Sequence, residues 1–199
     1  MTRLSTPLLL AASLGLAGCG STTPLQYAPT VAVQPGPAAV SSVSVVDRRD
    51  EKPNRYATVR GGYGNPVLVM DAPHPVADEV QVAVTAALQA RGMLGAPGAT
   101  PYRIQVILRT LYGNTYITPG AYIDLDLQVA DRSGRVIYSD TIKDERHDGI
   151  TFRGFPFGDI DGLAKLVQTL LDSSIDRLLD KPGLRAVLGR SPALSRPAA

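Results

Sequence analysis

The sequence predicts an α+β fold: a two-layer sandwich with a mainly antiparallel β-sheet and two helices on one face. Three observations lead there. Pro75–Arg91 and Asp159–Leu179 each carry apolar residues at helical spacing on a single stripe. Between and before them lie β-branched runs and segments of two-residue alternation, which read as strands. A helix with one apolar stripe must bury it, and a sheet with one apolar face is the natural partner. Composition agrees with a globular body, since 44% of the 199 residues are hydrophobic and 19% charged. A formal net charge of +2 gives no electrostatic footprint for a nucleic-acid partner. A single cysteine excludes an internal disulfide framework and a cysteine-rich metal site.

The chain opens with a targeting signal. Arg3 supplies a positive n-region, Pro7–Leu16 is almost wholly apolar, and small residues close the segment. An apolar run of about ten residues is half of what a bilayer-spanning helix needs. Leu14, Leu16, Ala17 and Gly18 then lead into Cys19. This stretch resembles a bacterial lipobox. The resemblance implies cleavage between Gly18 and Cys19 and diacylglyceryl attachment to the Cys19 thiol. Two or three acyl chains, at ~0.8 kcal/mol per buried CH₂, anchor a protein stably. Loss of Arg3 with the leader leaves a formal charge of +1. By the sorting rule of enteric bacteria, Gly20 rather than Asp after the cysteine implies the outer membrane.

Residues 19–39 are expected to be the lipidated amino terminus and a flexible tether, because 20–39 is rich in Pro, Ala and Thr and has no charge. Extended at ~3.1 Å per residue, such a tether reaches roughly 60 Å. The body is expected over 40–181 and a Pro/Arg/Ala-rich tail over 182–199, with room for a short helix near Leu184–Leu188. Val40–Asp47 is a β-branched strand, Arg48–Lys52 a charged turn, and Arg55–Arg60 and Pro66–Met70 short strands around a Gly61-Gly62-Tyr63-Gly64 loop. The helix over Pro75–Arg91 has Val76, Val80, Val84 and Leu88 on its stripe, Pro75 in its first turn, and Asp78 and Glu79 near its positive end. Tyr102–Tyr112, Ala121–Ala130 and Arg135–Lys143 are strands, and Asp131-Arg132-Ser133-Gly134 is a hairpin turn. Arg103 and Arg109 are placed to lie across from Asp124 and Asp126. Asp159 is the expected N-cap of the second helix, and Lys181-Pro182-Gly183 its stop.

Little here points to chemistry. Asp144–Asp148 (DERHD) has suitable residue types, but consecutive residues point in different directions, so a solvated charged loop is expected. Asp124 and Asp126 share a strand face, and pairing with arginine accounts for both. The Gly61–Gly64 loop matches no phosphate-binding pattern. No cofactor, metal site or catalytic residue is assigned, and the chain is not expected to be an enzyme. Its three phenylalanines, Phe152, Phe155 and Phe157, cluster in one stretch. They either plug the core or, with Tyr116 and neighbouring Tyr112 and Tyr122, form an exposed partner-binding surface.

Several motifs resemble the YajG family of bacterial lipoproteins over about residues 40–188. Val43–Arg49 is similar to the family's first strand with its D-x-R end, carried by Asp47 and Arg49. Gln89-Ala90-Arg91-Gly92-Met93 resembles the close of the first helix, Tyr102–Tyr112 the following strand, and Ala164–Asp180 the final helix. The resemblance implies a periplasm-facing outer-membrane lipoprotein without established catalysis. The expected function is a lipid-anchored module that binds or scaffolds another envelope protein or the cell wall. The alternative is an accessory lipoprotein of an outer-membrane assembly, transport or cell-wall synthesis machine. A third class, an envelope hydrolase, would require Asp124, Asp126 or His147 to converge.

Overall fold

The structure is a computed structural model that describes residues 20–96, 100–115, 118–147 and 159–190. Among them run seven strands and three helices in the order β1 (Gly20–Thr22), β2 (Val40–Asp47), β3 (Arg55–Arg60), β4 (Pro66–Asp71), α1 (Val76–Ala90), β5 (Tyr102–Thr115), β6 (Pro119–Ala130), β7 (Val136–His147), α2 (Ile160–Leu179) and α3 (Pro182–Leu188). The strands form one sheet in the order β1-β4-β3-β5-β6-β7, with β2 also paired to β5. The fold is therefore α+β, as expected, but the sheet is mixed rather than mainly antiparallel. β1·β4, β2·β5 and β3·β5 are parallel, while β3·β4, β5·β6 and β6·β7 are antiparallel. The reason is connectivity. A parallel partner needs a long crossover, and α1 supplies one between the amino-terminal strands and β5.

β5 is long enough to serve two partners on one edge. Its first half pairs with β2 up to Asp47↔Leu108, and its last residues pair with β3 from Ala57↔Gly113. The break between them is stitched by the D-x-R motif. Asp47 accepts from the Arg49 guanidinium at 3.0 and 2.9 Å, and Arg49 donates to the carbonyls of Pro53, Arg55 and Leu111. Burial alone would raise the Asp47 carboxyl, but the Arg49 hydrogen bonds more than offset it and hold it below the usual range.

Alternate residues of β5 and β6 (Ile104, Val106, Leu108, Leu111; Ile123, Leu125, Leu127, Val129) join Val80, Val84 and Leu88 of α1, Val167, Leu171 and Ile175 of α2, and Leu184 and Leu188 of α3 in one apolar cluster. A bulge at Arg109 keeps the alternation in phase, so Leu108 and Leu111 face the same side. Asp159 caps α2 by accepting from the Gly162 N–H at 2.8 Å. The hairpin turn at Asp131–Gly134 forms as expected, with Gly134 at φ 87°.

The short helix expected near Leu184–Leu188 forms as α3, because Pro182 suits its first turn and Leu184 and Leu188 reach the core. Two expectations are corrected. The charged stretch from Asp144 to His147 is the end of β7, not a loop: it pairs with β6 as far as Gly120↔His147. Charges suit it because β7 is an edge strand, where they discourage further pairing. The tether is corrected below.

Candidate functional site

The site is the amino-terminal segment, 20–39, and the sheet edge that receives it. The sequence has neither strand alternation nor helical period here, yet the segment is docked along its length. Gly20, Ser21 and Thr22 pair with Val69, Met70 and Asp71 as an added parallel strand. The Thr23 carbonyl accepts from the Tyr56 hydroxyl at 3.2 Å, and Leu25 is buried. Gln26 exchanges hydrogen bonds with the Gln168 side chain at 3.1 and 2.8 Å. Farther along, Gly36 donates to the Arg91 carbonyl at 2.8 Å, and Arg185 donates to the Gln34 and Pro35 carbonyls at 3.0 Å each. Prolines explain the fit. They remove backbone donors that would need partners and reduce the freedom lost on ordering.

The centre of the dock is a buried polar network between α1 and α2. Arg91 ends α1 with a fully buried side chain. It donates to Asp176 at 2.8 Å, to Asp180 at 3.0 and 3.1 Å, and to the Tyr27 hydroxyl at 2.9 Å. Tyr27 in turn donates to Asp176 at 2.5 Å, and Thr30 donates to Asp176 from its N–H and hydroxyl at 2.7 and 2.6 Å. Asp176 therefore has both carboxylate oxygens engaged at 1% exposure, as a buried carboxylate must. Burial pushes Asp176 up, but Thr30, Tyr27 and Arg91 together hold it below the usual carboxylate range. For Asp180, the Arg91 hydrogen bonds dominate and lower it. Asp172, one turn earlier, lacks an arginine. Burial pushes it up to about 6, against hydrogen bonds from Gln168 and the Ala28 N–H.

This arrangement replaces the flexible tether with a strap. Sequence reasoning missed it, although a signal was present. Asp172, Asp176 and Asp180 recur at a spacing of four beside the apolar stripe of α2, so they share one helix face. Three carboxylates there require basic or hydroxyl partners from another element.

The residues singled out by the sequence are distributed as follows. Gly18, Cys19, Tyr116, Phe152, Phe155 and Phe157 lie outside the described residues. Arg109 does reach across to Asp126, at 2.9 and 2.5 Å, and Thr141 donates to the other Asp126 oxygen. Asp124 is different: its Oδ1 is buried with no hydrogen-bond partner among the described residues. His147 does not join these carboxylates. Asp124 pairs in register with Lys143 and Asp126 with Thr141, roughly 14 and 20 Å along β7 from His147 at ~3.4 Å per residue. His147 instead packs edge-on against Tyr122, which stacks on Tyr112 at 5.1 Å. Among the described residues, no group of three His, Cys, Asp or Glu side chains is placed to hold a metal ion. No described helix is long and apolar enough to cross a membrane.

An α+β body of this kind is also seen in solved proteins. Protein XCC0632 from Xanthomonas campestris, which carries the family model DUF330, superposes with a TM-score of 0.54 at 22% identity, over 77% of this chain and 91% of that one. An uncharacterised protein superposes at 0.51 and 11% identity, over 84% and 98%. A putative lipoprotein from Caulobacter crescentus gives 0.43 and 13%, over 75% and 93%. The first two show a shared fold. No family model and no curated protein matches this chain.

Proposed function

We propose that this chain is a bacterial envelope lipoprotein of the YajG type, held to the outer membrane on its periplasmic side through acyl chains on Cys19, with a binding or scaffolding role rather than a catalytic one. The observation that carries the reading is the position of the single cysteine. It follows a short apolar leader and immediately precedes the point where the chain docks on the body. An attachment point placed there holds the body at the bilayer without slack. The surface offered to a second envelope component is the outer face of the sheet, where Tyr112, Tyr122 and His147 cluster beside Arg60 and Asn114.

Mass spectrometry of protein extracted from membranes, together with fractionation of Cys19→Ser, tests this. The expected result is a mature chain beginning at acylated residue 19, and a Cys19→Ser variant that accumulates as uncleaved precursor without acylation. A leader-free wild-type chain with an unmodified thiol, recovered in the soluble fraction, would overturn the proposal.

A further inference from the structure

The strap fixes which part of the body faces the lipid. β1 runs parallel to β4 with Gly20 opposite Val69, so the chain leading back to residue 19 heads toward Pro66, the first residue of β4. That is the end of the sheet where the β3–β4 hairpin turns. The turn is closed by the Gly61 N–H donating to the Asn65 carbonyl at 2.9 Å and the Gly64 N–H to the Gly61 carbonyl at 2.8 Å. Gly64 takes φ 79°, which a side chain would strain. This tight turn pushes Tyr63 fully into solvent, at 101% exposure, and Val67 is exposed just behind it on β4.

The charge pattern around the hairpin suits one kind of partner. From Lys52 to Met70 the chain has no carboxylate, and from Met1 to Val46 it has none either. Thus neither the hairpin nor the strap beside it brings negative charge. The basic group at the base, Arg60, is positioned by its contacts with Asn114 and the Gly64 carbonyl. A tyrosine and a valine on a carboxylate-free turn, next to an acylated residue, match the interfacial zone of a bilayer, where amphipathic aromatic rings sit at headgroup level. No carboxylate of the hairpin or the strap itself would repel anionic headgroups.

We propose that the β3–β4 hairpin is a second contact with the membrane, in which Tyr63 and Val67 enter the headgroup region beside the acyl chains of Cys19 and set the orientation of the body. The proposal rests on the lipid-anchor reading above. Its consequence is that Val136, at the start of β7, stands away from the bilayer, because β7 begins at the end of the sheet opposite the hairpin and only its last residue, His147, returns to the hairpin end. β7 is five strands from β1, roughly 24 Å at ~4.8 Å per strand.

The chain contains no tryptophan, so one introduced indole reports alone. The full precursor would be expressed as Tyr63→Trp or, at the far edge, Val136→Trp, and the acylated product reconstituted in vesicles of phosphatidylethanolamine and phosphatidylglycerol with brominated acyl chains. Tyr63 is fully exposed and Val136 half exposed, so neither change disturbs the core. The expected result is loss of most of the indole emission of Tyr63→Trp by bromine quenching and little change in that of Val136→Trp. Acylated Tyr63→Trp protein that floats with the vesicles but stays unquenched would overturn the hairpin contact and leave the lipoprotein reading standing. Equal quenching in both variants would overturn the orientation. Protein that mass analysis shows unacylated and that fails to float would overturn both readings together.

Discussion

Single residues carry more of this structure than their type suggests. Arg91 and the D-x-R pair Asp47 and Arg49 are legible as motifs, but their work is not: Arg91 joins two helices to the strap, and Arg49 closes the gap where β2 hands over to β3. Neither role can be read from the local pattern alone, because Arg91 needs Tyr27 and Asp176 and Arg49 needs Leu111, each tens of residues away. Asp172 gives the clearest test at this scale. It is 5% exposed and raised to about 6, whereas an unfolded aspartate titrates near 3.9. The native state therefore holds a proton that the unfolded chain releases, and stability falls as pH rises from about 4 to about 6 and stays lower above that. Asn at 172 keeps the carbonyl acceptor for Ala28 and Gln168 without the charge. Asp172→Asn is expected to stabilise by roughly 1–3 kcal/mol at about pH 7.5 and to be close to neutral at about pH 4. Urea unfolding midpoints at the two pH values measure the difference, and an equal effect at both would rule out the buried-charge explanation.

At the scale of elements, periodicity works where one face is buried and the other wet. α1, α2 and β6 follow from it within a few residues, because burial imposes the pattern directly. It fails where an element is short or borrows its partners. β1 has three residues and no pattern of its own, and the charges at the end of β7 conceal a strand whose pairing is set by β6. The mixed sheet is illegible for a related reason: parallel or antiparallel direction is a property of connections, which alternation does not record. How α2 seats on β5 can be checked at Gly113. A Cβ there would stand 2.7 Å from Val167 Cγ2 and 2.9 Å from Leu163 Cγ, so only glycine lets helix and strand approach this closely. Gly113→Ala is expected to lower stability by about 1–3 kcal/mol through overpacking. Thermal unfolding would show this, and a variant as stable as the parent would mean that α2 sits farther from the sheet.

For the whole molecule, the decisive feature is that the polypeptide between the proposed attachment point and the body has no slack. A Pro- and Ala-rich composition signals the absence of regular structure, which is not the absence of structure. The distinction matters for function. Under the proposed lipid anchor, a loose tether would let the body range roughly 60 Å from a bilayer at ~3.1 Å per residue, whereas a strap would hold one end of the sheet against it. The Thr23, Gln26, Thr30, Gly36 and Ala39 amides all donate within the folded body, to Asp71, Gln168, Asp176, Arg91 and Met93 in turn. Hydrogen exchange over residues 20–39 of the mature chain tests this most directly. The account predicts that these amides are protected and exchange no faster than those of β5 and α1 when the network is intact. Exchange at the rate of an unstructured peptide throughout 20–39, with β5 and α1 still protected, would contradict it.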